Sequence, residues 1–158
     1  MREILFRGKA VNRDNGYRRT EYKNGDWVYG LLTRPYDERF EELPAEMTNT
    51  LGISGIEVDH ESVGQYTGLT DKSGTKIFEG DIVKCTATNV DCAFTAVVLF
   101  GNPNGEYNWG FQLMRISGAN ANTDILLWVD MEETGAFIEV IGNIYDNPEL
   151  IGGKTNGK

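Results

Sequence analysis

The chain has 158 residues, 40% of them hydrophobic, with 19 glycines, 4 prolines, and 7 Phe, 7 Tyr and 3 Trp. Its net charge of −9 repels nucleic acid and anionic membranes over the surface as a whole, and no apolar run approaches the roughly 20 residues of a membrane helix. The hydrophobic content excludes disorder throughout, and a chain of this length suits one domain that buries roughly 70% of its unfolded surface.

The first residues, MREILFRGKA, contain no apolar signal-peptide core, so the expectation is a reduced, cytoplasmic protein. Its two cysteines, Cys85 and Cys92, and its one histidine, His60, are too few for a closed zinc site of four Cys or His ligands; no metal and no cofactor are expected. Charge is unevenly spread, with +4 over Met1 to Arg34 and −13 over Pro35 to Lys158. Such a split suits a first segment that packs on the remainder, or pairs with it between copies.

Along the chain, turn signals at Asn15-Gly16, Asn24-Gly25, Ser73-Gly74, Asn104-Gly105 and Thr134-Gly135 separate segments rich in β formers. The predicted strands are Glu3 to Ala10, Trp27 to Leu32, Ile82 to Ala87, Phe94 to Phe100, Trp109 to Met114, Ile125 to Val129 and Phe137 to Ile144. Alternation in Trp27-Val28-Tyr29-Gly30-Leu31 puts Trp27, Tyr29 and Leu31 on one face, expected to be core, with Gly30 leaving room for another backbone. Pro35 to Thr50 reads as a long acidic surface loop with one or two helical turns, and Pro148 as opening a single turn. The whole reads as a mainly β fold with little helix, an antiparallel barrel or sandwich, forming a single domain over residues 1–151 with a disordered tail over 152–158.

The central stretch VGQYTGLTDKSGTKIFEGDIVKC, Val63 to Cys85, is dense in glycine, aromatic and charged residues. Asp71-Lys72-Ser73-Gly74 has the composition of a tight turn in which the aspartate accepts backbone N–H groups. Lys76-Ile77-Phe78 resumes an extended chain. Glu79-Gly80-Asp81 forms a second turn before a strand in which Val83 and Cys85 share one face. Gly64, Gly68, Gly74 and Gly80 fit neither a P-loop nor a dinucleotide fingerprint. Asp81 reads more readily as a cap for backbone donors than as a catalytic carboxylate.

Four blocks carry a resemblance: Phe6-Arg7-Gly8-Lys9, Trp27-Val28-Tyr29-Gly30, the pair Val63-Gly64-Gln65-Tyr66-Thr67-Gly68-Leu69 and Ile77-Phe78-Glu79-Gly80-Asp81-Ile82-Val83, and the run from Val140 to Leu150. In this order they resemble the YopX family of phage and prophage proteins. The resemblance implies a mainly β fold and expression in a bacterial cytoplasm from a bacteriophage or integrated element. It implies no reaction, cofactor or catalytic residue. His60 stands where similar sequences are expected to carry proline, between Asp59 and Glu61, which argues against a family role as catalyst.

Three functional readings remain. The first is a non-catalytic accessory module that binds a protein partner or itself, supported by aromatic-rich strands and the lack of a convergent catalytic set. Its candidate contact residues are Arg7, Lys9, Gln65, Tyr66 and Asp81. The second is single-stranded nucleic-acid or RNA binding by Arg2, Arg7, Lys9, Arg13, Arg18, Arg19 and Lys23 beside Tyr17, Tyr22, Trp27 and Tyr29. The third is a carboxylate-dependent enzyme using Glu79 and Asp81. Adjacent acids at Glu41-Glu42 and Glu132-Glu133 read as solvated turns, His60 as an exposed histidine on a polar turn, and Cys85 as a buried, inert thiol.

Overall fold

The computed structural model describes residues 3–11, 22–40, 44–90, 92–102, 109–116, 122–129 and 135–152. The turns at Asn15-Gly16 and Asn104-Gly105, the paired acids at 41–42 and 132–133, and the tail beyond Gly152 lie outside them. The chain divides into two compact units, Met1–Tyr66 and Thr67–Lys158.

In the first unit, β1 (Phe6–Ala10), β2 (Trp27–Arg34), β3 (Ala45–Asn49) and β4 (Ile56–Thr70) pair antiparallel in sequence order, and β1 also pairs with β4. The sheet is therefore partly ring-like, and its inward positions must be small or slender. Ala10, Val28, Ala45, Met47, Ile56 and Val58 fill it. A Cβ on Gly30 would lie 1.8 Å from the Thr48 carbonyl oxygen, so glycine is required where β2 meets β3.

That crowding corrects the expectation for β2. Its alternation has the predicted period, but the buried face holds Val28 and Gly30, while Tyr29 and Leu31 are 40% and 53% exposed and Trp27 is half-buried. Large side chains have no space where Gly30 touches Thr48, and the pleat turns them outward.

The expected loop from Pro35 to Thr50 is corrected as well. A single 3-10 turn spans Glu38–Phe40, and Ala45–Asn49 is a strand with Ala45, Met47 and Asn49 buried. Pro44 stands just before the strand, where its missing N–H costs no ladder bond, and its carbonyl accepts from Arg34 Nε and Nη2 at 3.2 and 2.9 Å. His60 lies within β4 rather than on a free turn. Arg7 faces Gly64 while Lys9 faces Asp59, so β4 bulges between them. Ser62 Oγ donates to the Asp59 carbonyl at 2.6 Å and accepts from the Lys9 N–H at 2.7 Å, closing the bulge.

The end of β4 enters the second unit, where β5 (Lys76–Phe78) pairs with it. The other sheet there has the order β10-β6-β7-β8-β9, formed by β6 (Asp81–Ala87), β7 (Cys92–Gly101), β8 (Gly110–Arg115), β9 (Asn122–Asp124) and β10 (Ala136–Asn143). Its core is Ile77, Val83, Cys85, Ala96, Val98, Leu113, Ile125 and Ile138. The predicted strand from Ile125 to Val129 is instead a short helix, α1 (Leu126–Val129), because Asp124 Oδ1 accepts the Leu126 N–H at 2.9 Å and turns the chain. Pro148–Ile151 forms the expected single turn, ended by Gly152 in the left-handed region. The fold is mainly antiparallel β with little helix, as predicted.

Candidate functional site

The central stretch is built around two aspartates. Asp71 Oδ1 accepts the N–H groups of Ser73 and Thr75 at 2.8 and 2.9 Å, with Gly74 at φ 84° completing the turn. Its second oxygen accepts the Val140 N–H on β10 at 3.1 Å, and the Lys72 N–H donates to the Ile138 carbonyl at 3.1 Å. The turn thus covers the edge of β10. Burial would raise the Asp71 carboxyl, but the Val140, Thr75 and Ser73 amides outweigh it and hold its pKa below the ordinary carboxylate value.

Asp81, 2% exposed, accepts the Phe78 N–H at 2.7 Å through Oδ2. Beside it, Gly80 adopts φ 83°, donates to the Val98 carbonyl and accepts the Ile144 N–H. Asp81 thereby fixes the turn between β5 and β6, the capping role expected of it. Cys85 is fully buried on β6, and burial pushes its thiol up to about 12, offset by the charge of Arg115 and reinforced by Cys92.

Near Asp71 lies a pocket of about 140 Å³ bordered by Lys72, Trp128, Ala136, Phe137 and Ile138. Its cation is engaged, since Lys72 Nζ lies 2.8 Å from Glu139 and 4.6 Å above the Phe137 ring. Its carboxylate is committed to backbone amides. The pocket is smaller than the roughly 300 Å³ at which ligand clefts begin, and it holds no acid–base pair at work on a shared point. Among the described residues, no group of three His, Cys, Asp or Glu side chains is placed to hold a metal ion.

Four of the five candidate contact residues, Arg7, Lys9, Gln65 and Tyr66, belong to the first unit. Arg7 and Lys9 are brought together: the Arg7 guanidinium lies 4.6 Å and Lys9 Nζ 4.8 Å from the centre of the Trp27 ring, and Lys9 Nζ also donates to the Gly25 carbonyl at 3.3 Å. Gln65 stands opposite Phe6 on β1, the residue whose side chain alternates away from that of Arg7. Tyr66 is 6% exposed, its N–H donating to the Leu5 carbonyl at 2.8 Å. Asp81 belongs to the second unit.

What β2 presents outward is Trp27 under its two cations, then Tyr29 and Leu31. The Thr50 N–H donates to the Tyr29 carbonyl at 3.1 Å, bringing the next turn alongside. There Asn49 Oδ1 accepts the Leu51 and Ile53 N–H groups at 3.0 and 2.9 Å, and Asn49 Nδ2 reaches the Tyr22 hydroxyl at 3.1 Å. Leu51 and Ile53, 84% and 43% exposed, are held outward by a braced turn. His60 is exposed yet stacked on Tyr36, with ring centroids 3.8 Å apart.

A second exposed group was not singled out by sequence reasoning: Phe100 on β7, with Phe111 facing it on β8 and Trp109 just before that strand. Its signal was the long uncharged run beginning at Cys92 and the tryptophan that opens the next strand.

These features define a small antiparallel β protein whose prominent chemistry is exposed apolar and aromatic surface. A family model described as "YopX protein" matches residues 16–152, most of the chain, and the protein belongs to the YopX family. Comparison with curated proteins gave no match. No helix among the described residues is long and apolar enough to cross a membrane.

Proposed function

We propose that this chain is a non-catalytic accessory protein of a phage or prophage, working in the bacterial cytoplasm, which binds a protein partner through the outward face of β2 and the adjoining turn. The observation that carries the reading is the exposure of Tyr29, Leu31, Leu51 and Ile53 on backbone fixed by the Gly30–Thr48 contact and by Asn49. Apolar side chains on a preorganised surface lose little entropy on binding, and clustered exposure of this kind marks protein-interaction sites. Of the two carboxylates that reasoning from sequence made candidates for catalysis, Glu79 and Asp81, Asp81 holds backbone, as does the turn residue Asp71, which favours binding over catalysis.

Single-strand nucleic-acid binding is the second reading, favoured by one observation: Trp27 and Tyr29 are not core. Against it, the Trp27 ring already carries Arg7 and Lys9, and Arg7 is only 6% exposed. Affinity purification with and without nuclease separates the two. A protein retained by the wild type under both conditions and lost with Tyr29→Ser/Leu31→Ser supports the first reading; retention that disappears with nuclease supports the second.

A further inference from the structure

We infer that the turn over residues 71–75 is a latch on the outer edge of β10, which opens and closes by itself while β10 stays paired with β6. Two sets of bonds meet at this turn. Within it, the Asp71 N–H donates to the Thr75 carbonyl at 2.8 Å, the Gly74 N–H donates to the Asp71 carbonyl at 3.0 Å, and Asp71 Oδ1 accepts from Ser73 and Thr75. Across to β10, Asp71 Oδ2 accepts the Val140 N–H, the Lys72 N–H donates to the Ile138 carbonyl, and Lys72 Nζ reaches Glu139 and the Phe137 ring. The first set keeps the turn together when the second breaks.

The alternation of an antiparallel ladder separates the two edges of β10. Ile138 and Val140 turn their backbone groups outward to the latch, so Phe137 and Glu139, one residue out of phase, direct theirs to Thr86 and Lys84 on β6. The edges also differ in what opening them exposes. Residues 72–75 are exposed and carry no apolar side chain, so lifting the latch takes little apolar surface into water. The Lys72–Glu139 pair adds little to its closure, since the two side chains are 42% and 41% exposed. Parting β10 from β6, by contrast, uncovers Ile138 from the core it shares with Val83 and Cys85. The latch is therefore the low-cost opening on a sheet that is costly to open. Lifted, it bares the Ile138 carbonyl and the Val140 N–H on an edge strand, the arrangement that takes up extended segments of other chains; closed, it withholds β10 from such pairing.

This inference uses residues of the second unit and does not depend on the reading of β2. Native-state amide hydrogen exchange, followed by NMR in rising, sub-denaturing urea and corrected for intrinsic rates, tests it. The Lys72 and Val140 N–H groups are expected to exchange through one opening with almost no urea dependence. They should exchange at least about tenfold faster than Phe137 and Glu139, whose opening exposes core and is promoted by urea. Lys72→Ala, at an exposed position, is expected to speed Val140 about threefold and to leave Glu139 unchanged. Asp71→Asn, with one acceptor oxygen where the carboxylate has two, is expected to speed Val140 about tenfold. Exchange of Val140 at the rate and urea dependence of Glu139 overturns the inference, as do variants that speed both amides equally or leave Val140 unmoved.

Discussion

The Asp71 carboxylate accepts the backbone N–H of Val140 at 3.1 Å, joining the turn after β4 to the outer edge of β10. One side chain therefore orders its own turn and satisfies a strand edge that would otherwise invite pairing with another chain. Replacing Asp71 with alanine removes the acceptor for Ser73, Thr75 and Val140 together. The expected cost is about 2–3 kcal/mol, read as a lowered urea midpoint.

The same residue gives a pH dependence with a definite sign. Its folded pKa lies below the ordinary aspartate value of 3.8, so around that pH the unfolded chain binds more protons than the folded one. The contribution of Asp71 is present above the unfolded pKa and is lost as pH falls through the folded pKa. Urea melts of wild type and Asp71→Asn between about pH 3 and pH 6 are expected to converge towards the acid end. A gap that widens on acidification contradicts this.

Asp81→Ala leaves the buried Phe78 N–H without its carboxylate and is expected to destabilise by about 1–3 kcal/mol. A variant as stable as wild type that nevertheless loses partner binding would make Asp81 a contact residue instead of a cap.

At Gly30 the constraint is steric. An added methyl would stand 1.8 Å from the Thr48 carbonyl oxygen, a backbone atom that cannot step aside, so Gly30→Ala is expected to cost roughly 3 kcal/mol or to prevent folding. Gly52→Ala gives the contrast. No atom lies within 4 Å of its Cβ, so only the cost of φ 83° remains, about 1 kcal/mol.

With a thiol raised to about 12 and no exposed surface, Cys85 is expected to resist alkylation at pH 8 in the folded protein. In a Cys92→Ser background, labelling should appear only with denaturant. Rapid native labelling would place Cys85 in a more open environment than β6 provides.

Much of this architecture was legible because local chemistry and tertiary structure agree. The turns at Asn24-Gly25 and Ser73-Gly74 place glycine at φ 88° and 84°, and β6, β7, β8 and β10 follow the predicted segments within a few residues. Alternation gave the period of β2 but not its buried side, which depends on the Gly30–Thr48 approach between β2 and β3, a contact that the pattern within β2 does not encode. β3 was hidden by its acidic flank. β4 was hidden by Asp59-His60-Glu61, whose local bonds, including Glu61 N–H to Asp59 Oδ1 at 3.1 Å, are those of a turn even though they form a bulge inside a strand. The exposed rings of Phe100 and Trp109 could not be separated from core aromatics by pattern, since Phe100 sits near the end of β7 and Trp109 just before β8, where alternation carries little weight.

The most direct measurement is affinity purification of the tagged wild type and of Tyr29→Ser/Leu31→Ser from phage-induced bacterial lysate, each with and without nuclease. The account predicts a defined protein retained by the wild type under both conditions and lost from the double variant, with unchanged melting of the variant itself. Equal retention by both proteins, or retention that nuclease removes, would contradict a protein-binding face on β2.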